Sequence, residues 1–393
     1  MPLFRRPPPS VTVVDRRLGR LRFPRTDATI APTIRAEGIW EPEEGLWLDH
    51  HVPRGGTVVN VGANVGYFTL WAAGLVGRRG RVLAIEPHPE NARLLRWNIA
   101  SHAKGIATPI EAAASAAPGQ LELFINDENA GDHRVFSPEA ARVAAPDLAA
   151  STGGFTGEAR RIRVPAVTID ELVEQFGGPV DIVFTDTQGH DHEVLAGARK
   201  TLQEFRPLVM MEFVPAWIAA QDADPVAELR RLGDLGYLVG VWDAGIPPGA
   251  WEPERIVAWA GDADRWFTNL ELWPEERPLA RRARPGRGFW PLERVGDSTR
   301  HWMVAAEAFV ELSGSPGESV AVRMQLVPSP SGTATISVNT QPVSVAEPLD
   351  FIAEATLDES GHGRLHITAS HPAHRVPGEG RDLYVAVVDP TLM

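Results

Sequence analysis

The chain has 393 residues, 44% of them hydrophobic and 23% charged, and no cysteine. At roughly 100–200 residues per domain, that length and this ordinary globular composition imply two or three domains. The missing cysteine excludes disulfides, thiolate nucleophiles and zinc–thiolate sites, and 38 Lys+Arg against 51 Asp+Glu, a net charge of −13, speaks against a dedicated nucleic-acid binder.

Residues 1–35 are basic and punctuated by proline, with Arg16, Arg17, Arg20, Arg22 and Arg25 interleaved with Leu18, Leu21 and Phe23. They read as a loosely ordered arm with one or two short strands. The opening Met1 to Pro9 lacks the apolar core of a secretory leader, and no run approaches the about 18 apolar residues of a membrane span. A cytoplasmic location without a membrane span is the expectation.

Residues 36–272 alternate strand-like and helix-like segments. Strands are expected at 57–62, 81–86, 120–125, 180–185, 207–213 and 237–242, and helices at 66–76, 89–101, 191–204 and 223–235. Strands alternating with helices point to a parallel sheet covered on both faces, a doubly wound α/β fold. Residues 273–291, rich in Pro, Gly and Arg, read as a connector. In 292–393 period-two alternation appears at Val320, Val322, Met324 and Leu326, and at Ala334, Ile336 and Val338. Turns rich in Gly, Ser and Pro separate such runs, which suggests a small antiparallel β-sandwich.

The strongest chemical signal is Val58-Val59-Asn60-Val61-Gly62-Ala63-Asn64-Val65-Gly66-Tyr67-Phe68-Thr69-Leu70. A buried strand ends in a glycine-bearing loop and turns straight into a helix, whose N-terminus offers unpaired N–H groups and partial positive charge. Glu86 then ends the next strand, where an acid can accept both hydrogen bonds of a ribose diol. A dinucleotide site prefers glycine at the place held by Asn64. S-adenosylmethionine has no pyrophosphate, needs less room there, and is the favoured cofactor.

These segments resemble the FkbM-type S-adenosylmethionine-dependent methyltransferases. The resemblance rests on the glycine-loop stretch above, with its lead-in Gly38-Ile39-Trp40-Glu41-Pro42-Glu43-Glu44, and on Ala84-Ile85-Glu86-Pro87-His88-Pro89-Glu90-Asn91. It continues in Val180 to Asp191 followed by Glu193 to Ala198, and in Pro207 to Glu212. It spans residues 36–272 and does not cover the C-terminal β domain. It implies a Rossmann-like class I methyltransferase sheet and methyl transfer to an oxygen of a sugar or related metabolite. It also implies that Asn60, Gly62, Ala63, Asn64, Gly66, Tyr67, Glu86, Pro87, Ala113 and Asp186 hold the cofactor, with residues 111–115 lining the adenine. Glu41 in the lead-in becomes a substrate candidate. The family usually has Asp at position 60, and often Glu at 188 and 191.

Methyl transfer from a sulfonium is an in-line displacement, so the protein must align an alcohol and take its proton. Asp186 emerges at the end of an apolar strand, and His190 has the pKa range of a general base. His133, in the polar loop Asn126 to Arg134, is the rival base. Asp132, Arg134, Gln188 and Glu212 are candidates for substrate contact. Asp186 and Glu212, on neighbouring strand ends, also suit Mg²⁺. Of the 12 tryptophans, most read as core, while Trp217 and Trp251, beside Pro-containing loops, are expected to be exposed, and Trp217 is a candidate to stack on a sugar face. A glycan site, a homo-oligomer contact or a cover for the catalytic domain all fit the β domain. Three function classes stand: an O-methyltransferase on a saccharide or secondary metabolite, a non-catalytic saccharide- or partner-binding protein, and a nicotinamide-dependent oxidoreductase. Asn64 disfavours the last.

Overall fold

The computed structural model describes residues 9–15, 17–126, 129, 131–144, 160–262 and 267–276, together with segments between 282 and 392. Residues 1–8 of the arm, 277–281 and 286–291 of the connector, and Asp127, Glu128 and Ala130 of the polar loop lie outside the described residues. The chain divides into two compact units, 1–35 with 51–276 and 36–50 with 277–393.

In the first unit, β1 (Val11–Asp15) and β2 (Gly19–Phe23) form an antiparallel hairpin. Its inward residues Val13, Leu21 and Phe23 are buried, and the Asp15 carboxylate accepts the N–H groups of Arg17 and Leu18 to close the turn. Asn98, on helix Pro89–His102, binds both the N–H and the C=O of Arg22. Part of the sequence expected to be loose is therefore a docked hairpin, because alternation of Leu21 and Phe23 with arginines is a half-buried strand pattern.

The main sheet contains β3 (Thr57–Val61), β4 (Arg81–Ile85) and β5 (Ala107–Ile110). A small separate sheet follows from β6 (Ala113–Ala114), β7 (Gly119–Ile125) and β8 (Arg160–Val167). The chain returns to the main sheet with β9 (Ile182–Thr185), β10 (Leu208–Phe213), β11 (Tyr237–Val241) and β12 (Thr268–Pro274). The order is β11-β12-β10-β9-β3-β4-β5. Strands β5, β4, β3, β9 and β10 run parallel, whereas β12 is antiparallel to both its neighbours. Strands β3 and β9 are buried at every residue, as a sheet covered on both faces requires. This order, with one reversed strand next to the edge, agrees with the Rossmann-like sheet that the resemblance implies.

Two details differ from expectation. The sheet is mixed, because Trp273 and Pro274 pair with Leu238 and Tyr237, so the sequence read as the start of a connector is the end of β12. The helix expected over 191–204 is two, Asp191–Ala196 and Arg199–Phe205. A Cβ on Gly197 would stand 2.1 Å from the carbonyl oxygen of Ser115, and that close approach marks the break between the two helices.

Helix Ile169–Phe176 starts with a complete capping box: Thr168 accepts the Glu171 N–H while Glu171 accepts the Thr168 N–H. Thr168→Ala is expected to lower stability by about 1 kcal/mol in urea denaturation without changing the slope of the transition.

The second unit carries two five-stranded sheets. One orders Arg282–Pro285, Glu307–Ser313, His362–Ala369, Ala334–Val338 and Gln341–Val345. The other orders Glu293–Val295, Ser298–Trp302, Val385–Leu392, Ser319–Pro328 and Leu349–Thr356. Val310, Leu312, Val322, Met324, Leu326, Ile336, Leu365 and Val387 meet in one buried core. Alternate residues pointing inward from two antiparallel sheets make a β-sandwich.

Candidate active site

Register fixes the site. Val61 lies opposite Ile85 on one side and Thr185 on the other, and Thr185 lies opposite Met211. One residue further along, Gly62, Glu86, Asp186 and Glu212 therefore line one sheet edge, at the carboxyl ends of four parallel strands. The strand order reverses at β3, where open α/β sheets bind ligands.

At Gly62 φ is 74°, and a Cβ there would lie 1.8 Å from the Asp186 carbonyl oxygen. Only glycine allows that approach. Four N–H groups of the loop that precedes the helix are satisfied. Gly62 and Ala63 both donate to the Ile85 carbonyl, Asn64 donates to Glu86, and Gly66 donates to the Ala63 carbonyl. A loop that satisfies these donors is a rigid platform.

Each Glu86 oxygen accepts one backbone N–H at 2.8 Å, from Asn64 and from His88. Burial raises its pKa from 4.5 to about 7, against the pull of those bonds and of Asn91. With four lone-pair sites on the carboxylate and three taken by Asn64, His88 and Asn91, one remains for a hydroxyl donor. Pro87 follows half-buried, and Ala113 is buried in β6 opposite Ala166. Two other expected cofactor residues spend their polar atoms elsewhere: Asn60 Nδ2 donates to Thr69 Oγ1 (2.8 Å), and the Tyr67 hydroxyl donates to Asp15 (3.1 Å). Glu41 belongs to the second unit.

Beyond β9 the chain turns through Gln188 (φ 55°) and Gly189 (φ 88°), and the turn packs on Trp217. Gln188 Nε2 donates to Asp186 Oδ1 at 3.0 Å. Glu212 stands within reach of Asp186, and burial raises the Asp186 pKa, with the charge of nearby Asp132 adding to the rise. The expected Mg²⁺ site gains no support, because among the described residues no group of three His, Asp or Glu could hold a metal ion.

Asp132 and Arg134, both buried, form a two-bonded ion pair, with Nε to Oδ1 at 2.5 Å and Nη2 to Oδ2 at 2.9 Å. Asn126 Nδ2 adds a bond to Asp132 at 3.1 Å. The Arg134 guanidinium lies 3.9 Å from the Trp217 ring centroid. Trp217 is 1% exposed, so the expectation of an exposed sugar-stacking ring is wrong. Its face carries Arg134, and Gly189 and Phe136 pack around it.

The two histidines also change roles. His133 Nδ1 accepts the Asn126 N–H at 3.2 Å, which places the proton of the neutral ring on Nε2, and the ring lies against His88 at 4.1 Å between centroids. With its accepting nitrogen occupied, His133 does not suit the base role. Gln221 Nε2 donates to the carbonyls of Gly189 and Trp217, so its oxygen faces His190 Nδ1 at 3.0 Å. His190 Nδ1 is then the donor, and Nε2 accepts from Ser115 Oγ at 3.1 Å. Burial lowers the His190 pKa, which keeps the ring neutral. Both nitrogens are committed to partners. The sequence reading had Ser115 only as part of an adenine-lining stretch and missed Gln221, which no local pattern marks.

A family model described as the methyltransferase FkbM domain matches residues 60–239. Those residues are thus similar to an FkbM methyltransferase domain. They contain the whole strand-edge cluster from Gly62 to Glu212. Among solved structures, methyltransferase FkbM from Methylobacillus flagellatus is 16% identical, with 56% of this chain and 43% of that chain covered at a TM-score of 0.31. This chain thus spans less than half the length of that relative. A SAM-dependent methyltransferase from Aquifex aeolicus is 13% identical, covering 62% and 92%, at 0.31. Aeropyrum pernix fibrillarin, in complex with S-adenosyl-L-methionine, is 11% identical, covering 58% and 73%, at 0.31. A search of curated proteins finds no match to the sequence. Among the described residues no helix is long and apolar enough to cross a membrane.

Proposed function

We propose that the FkbM-like domain binds S-adenosylmethionine and transfers its methyl group to a hydroxyl of a saccharide or glycosylated metabolite. The observation that carries this reading is the meeting of Gly62 and Asp186 backbones at the strand-order reversal, with Glu86 on the adjacent strand end. When bound, the cofactor supplies an electrophilic methyl on a sulfonium. Gly62 and Ala63 provide a close, rigid backbone surface, and Glu86 accepts a ribose hydroxyl. Asp186 would accept the proton of the acceptor hydroxyl as the methyl leaves sulfur for oxygen, with Glu212 beside it on the next strand. Burial suits this use, because a carboxyl with a raised pKa is a stronger proton acceptor once ionised. The saccharide assignment rests on the family resemblance, as the stacking argument from Trp217 has gone.

Calorimetry with S-adenosylhomocysteine and with NADH tests the cofactor. Binding of the former alone is expected, and binding of NADH alone would sink the reading. Mass spectrometry of a saccharide and metabolite library incubated with trideuteromethyl cofactor should show a gain of one labelled methyl. Asp186→Asn should reduce that gain by at least about 100-fold, in the range of lost acid–base catalysis, while leaving S-adenosylhomocysteine affinity near that of the parent.

A further inference from the structure

We infer that Asp191 is a positioning residue that holds Asp186 in its working orientation, an inference that rests on the methyl-transfer reading above. Asp186 stands where a regular strand gives way to a turn through two positive φ angles, so its own backbone is not fixed by sheet pairing alone. The Asp191 carboxylate bonds on both sides of it. Thr185 Oγ1 donates to Oδ1 at 2.6 Å, and the Thr187 N–H donates to Oδ1 and Oδ2 at 3.2 and 3.3 Å. One side chain, 1% exposed, therefore ties down the residue before Asp186 and the residue after it.

Asp191 is also the first residue of helix Asp191–Ala196, where negative charge is favoured. The helix in turn is seated in the core through Val194 and Leu195. The clamp thus runs from the core to Asp186, and the Asp186 carboxyl is then aimed by Gln188. The chemistry calls for a carboxylate. Both partners of Asp191 are donors, and only an ionised acid presents acceptors alone on both oxygens. An asparagine would turn an N–H₂ group toward one of them.

The test compares Asp191→Asn, Asp191→Glu and Thr185→Val in the full chain. Two quantities are measured: labelled methyl delivered to the saccharide library at saturating cofactor, and S-adenosylhomocysteine affinity by calorimetry. Asp191→Asn is expected to lower turnover at least about tenfold while the affinity stays within about threefold, the signature of an interaction needed in the chemical step. Asp191→Glu, which restores a carboxylate, should recover most of the turnover. Thr185→Val should lose turnover in the same direction and by less. Parental turnover in Asp191→Asn overturns the inference, and so does a parallel fall of affinity and turnover, which would mark a merely structural residue. If Asp191→Asn does not fold, full turnover in Thr185→Val overturns it. A parent that binds S-adenosylhomocysteine and labels nothing removes the methyl-transfer reading, and the inference with it.

Discussion

Gly62→Ala is expected to abolish S-adenosylhomocysteine binding and to lower stability by about 3 kcal/mol or more, the range of an overpacked buried site. The new Cβ would sit 1.8 Å from the Asp186 carbonyl oxygen, and the residue holds φ 74°. An αL conformation alone costs alanine about 1 kcal/mol. The clash adds the rest, because its partner is backbone and cannot rotate away. Relief requires moving either the glycine loop or the end of β9, and both frame the strand edge. Gly74 is the control: it is helical and exposed, with nothing within 4 Å of an added Cβ. Gly74→Ala should leave binding unchanged and stabilise by about 0.5–1 kcal/mol. Thermal melts and calorimetry on the two variants decide the matter, and a Gly62→Ala protein that melts and binds like the parent would show that the close approach is not needed.

The contrast between these glycines shows what can be read from sequence and what cannot. Strand, glycine loop and helix at 57–76 are local, so periodicity and glycine spacing reveal them, and Glu86 follows because the next strand ends one register step beyond Ile85. The main sheet's reversed strand depends on Trp273 and Pro274 finding Leu238 and Tyr237, a pairing no local pattern encodes. Arg134 sits in a loop whose composition reads as solvated, yet its charge is taken by Asp132 and its face is covered by Trp217. A polar sequence can be buried when it carries its own counter-charge. The histidines make the same point. Their residue type announces proton chemistry, but Gln221 and Asn126 decide which nitrogen carries the proton, and those partners are set by folding.

Cofactor affinity is expected to rise from pH 6 to pH 8, and Glu86→Gln is expected to flatten that rise and weaken binding at pH 8 by about 10- to 100-fold, the worth of one hydrogen bond to a charged acceptor. In the unliganded protein, burial lifts Glu86 from its ordinary 4.5 to about 7. A folded-state pKa above the unfolded value means that the folded chain binds the proton more tightly. The stability this gives is full below about 4.5 and is lost as pH rises through about 7, a span worth about 3 kcal/mol at most. A ribose hydroxyl acts in the opposite sense, since it donates to the carboxylate and favours its ionised form. Binding must then release a proton wherever Glu86 is still protonated, so affinity climbs with pH until the group is ionised without help. Asp191, also raised to about 7 by burial, and Asp186 titrate in the same protein, which is why the variant is needed to isolate Glu86. Glutamine keeps one accepting oxygen and cannot ionise, so what remains of its affinity should be nearly independent of pH. Calorimetry in two buffers of different ionisation enthalpy reads the proton directly: release near pH 6.5 in the parent, reduced in Glu86→Gln. Equal release in both proteins would place the titrating group elsewhere and remove Glu86 from the ribose.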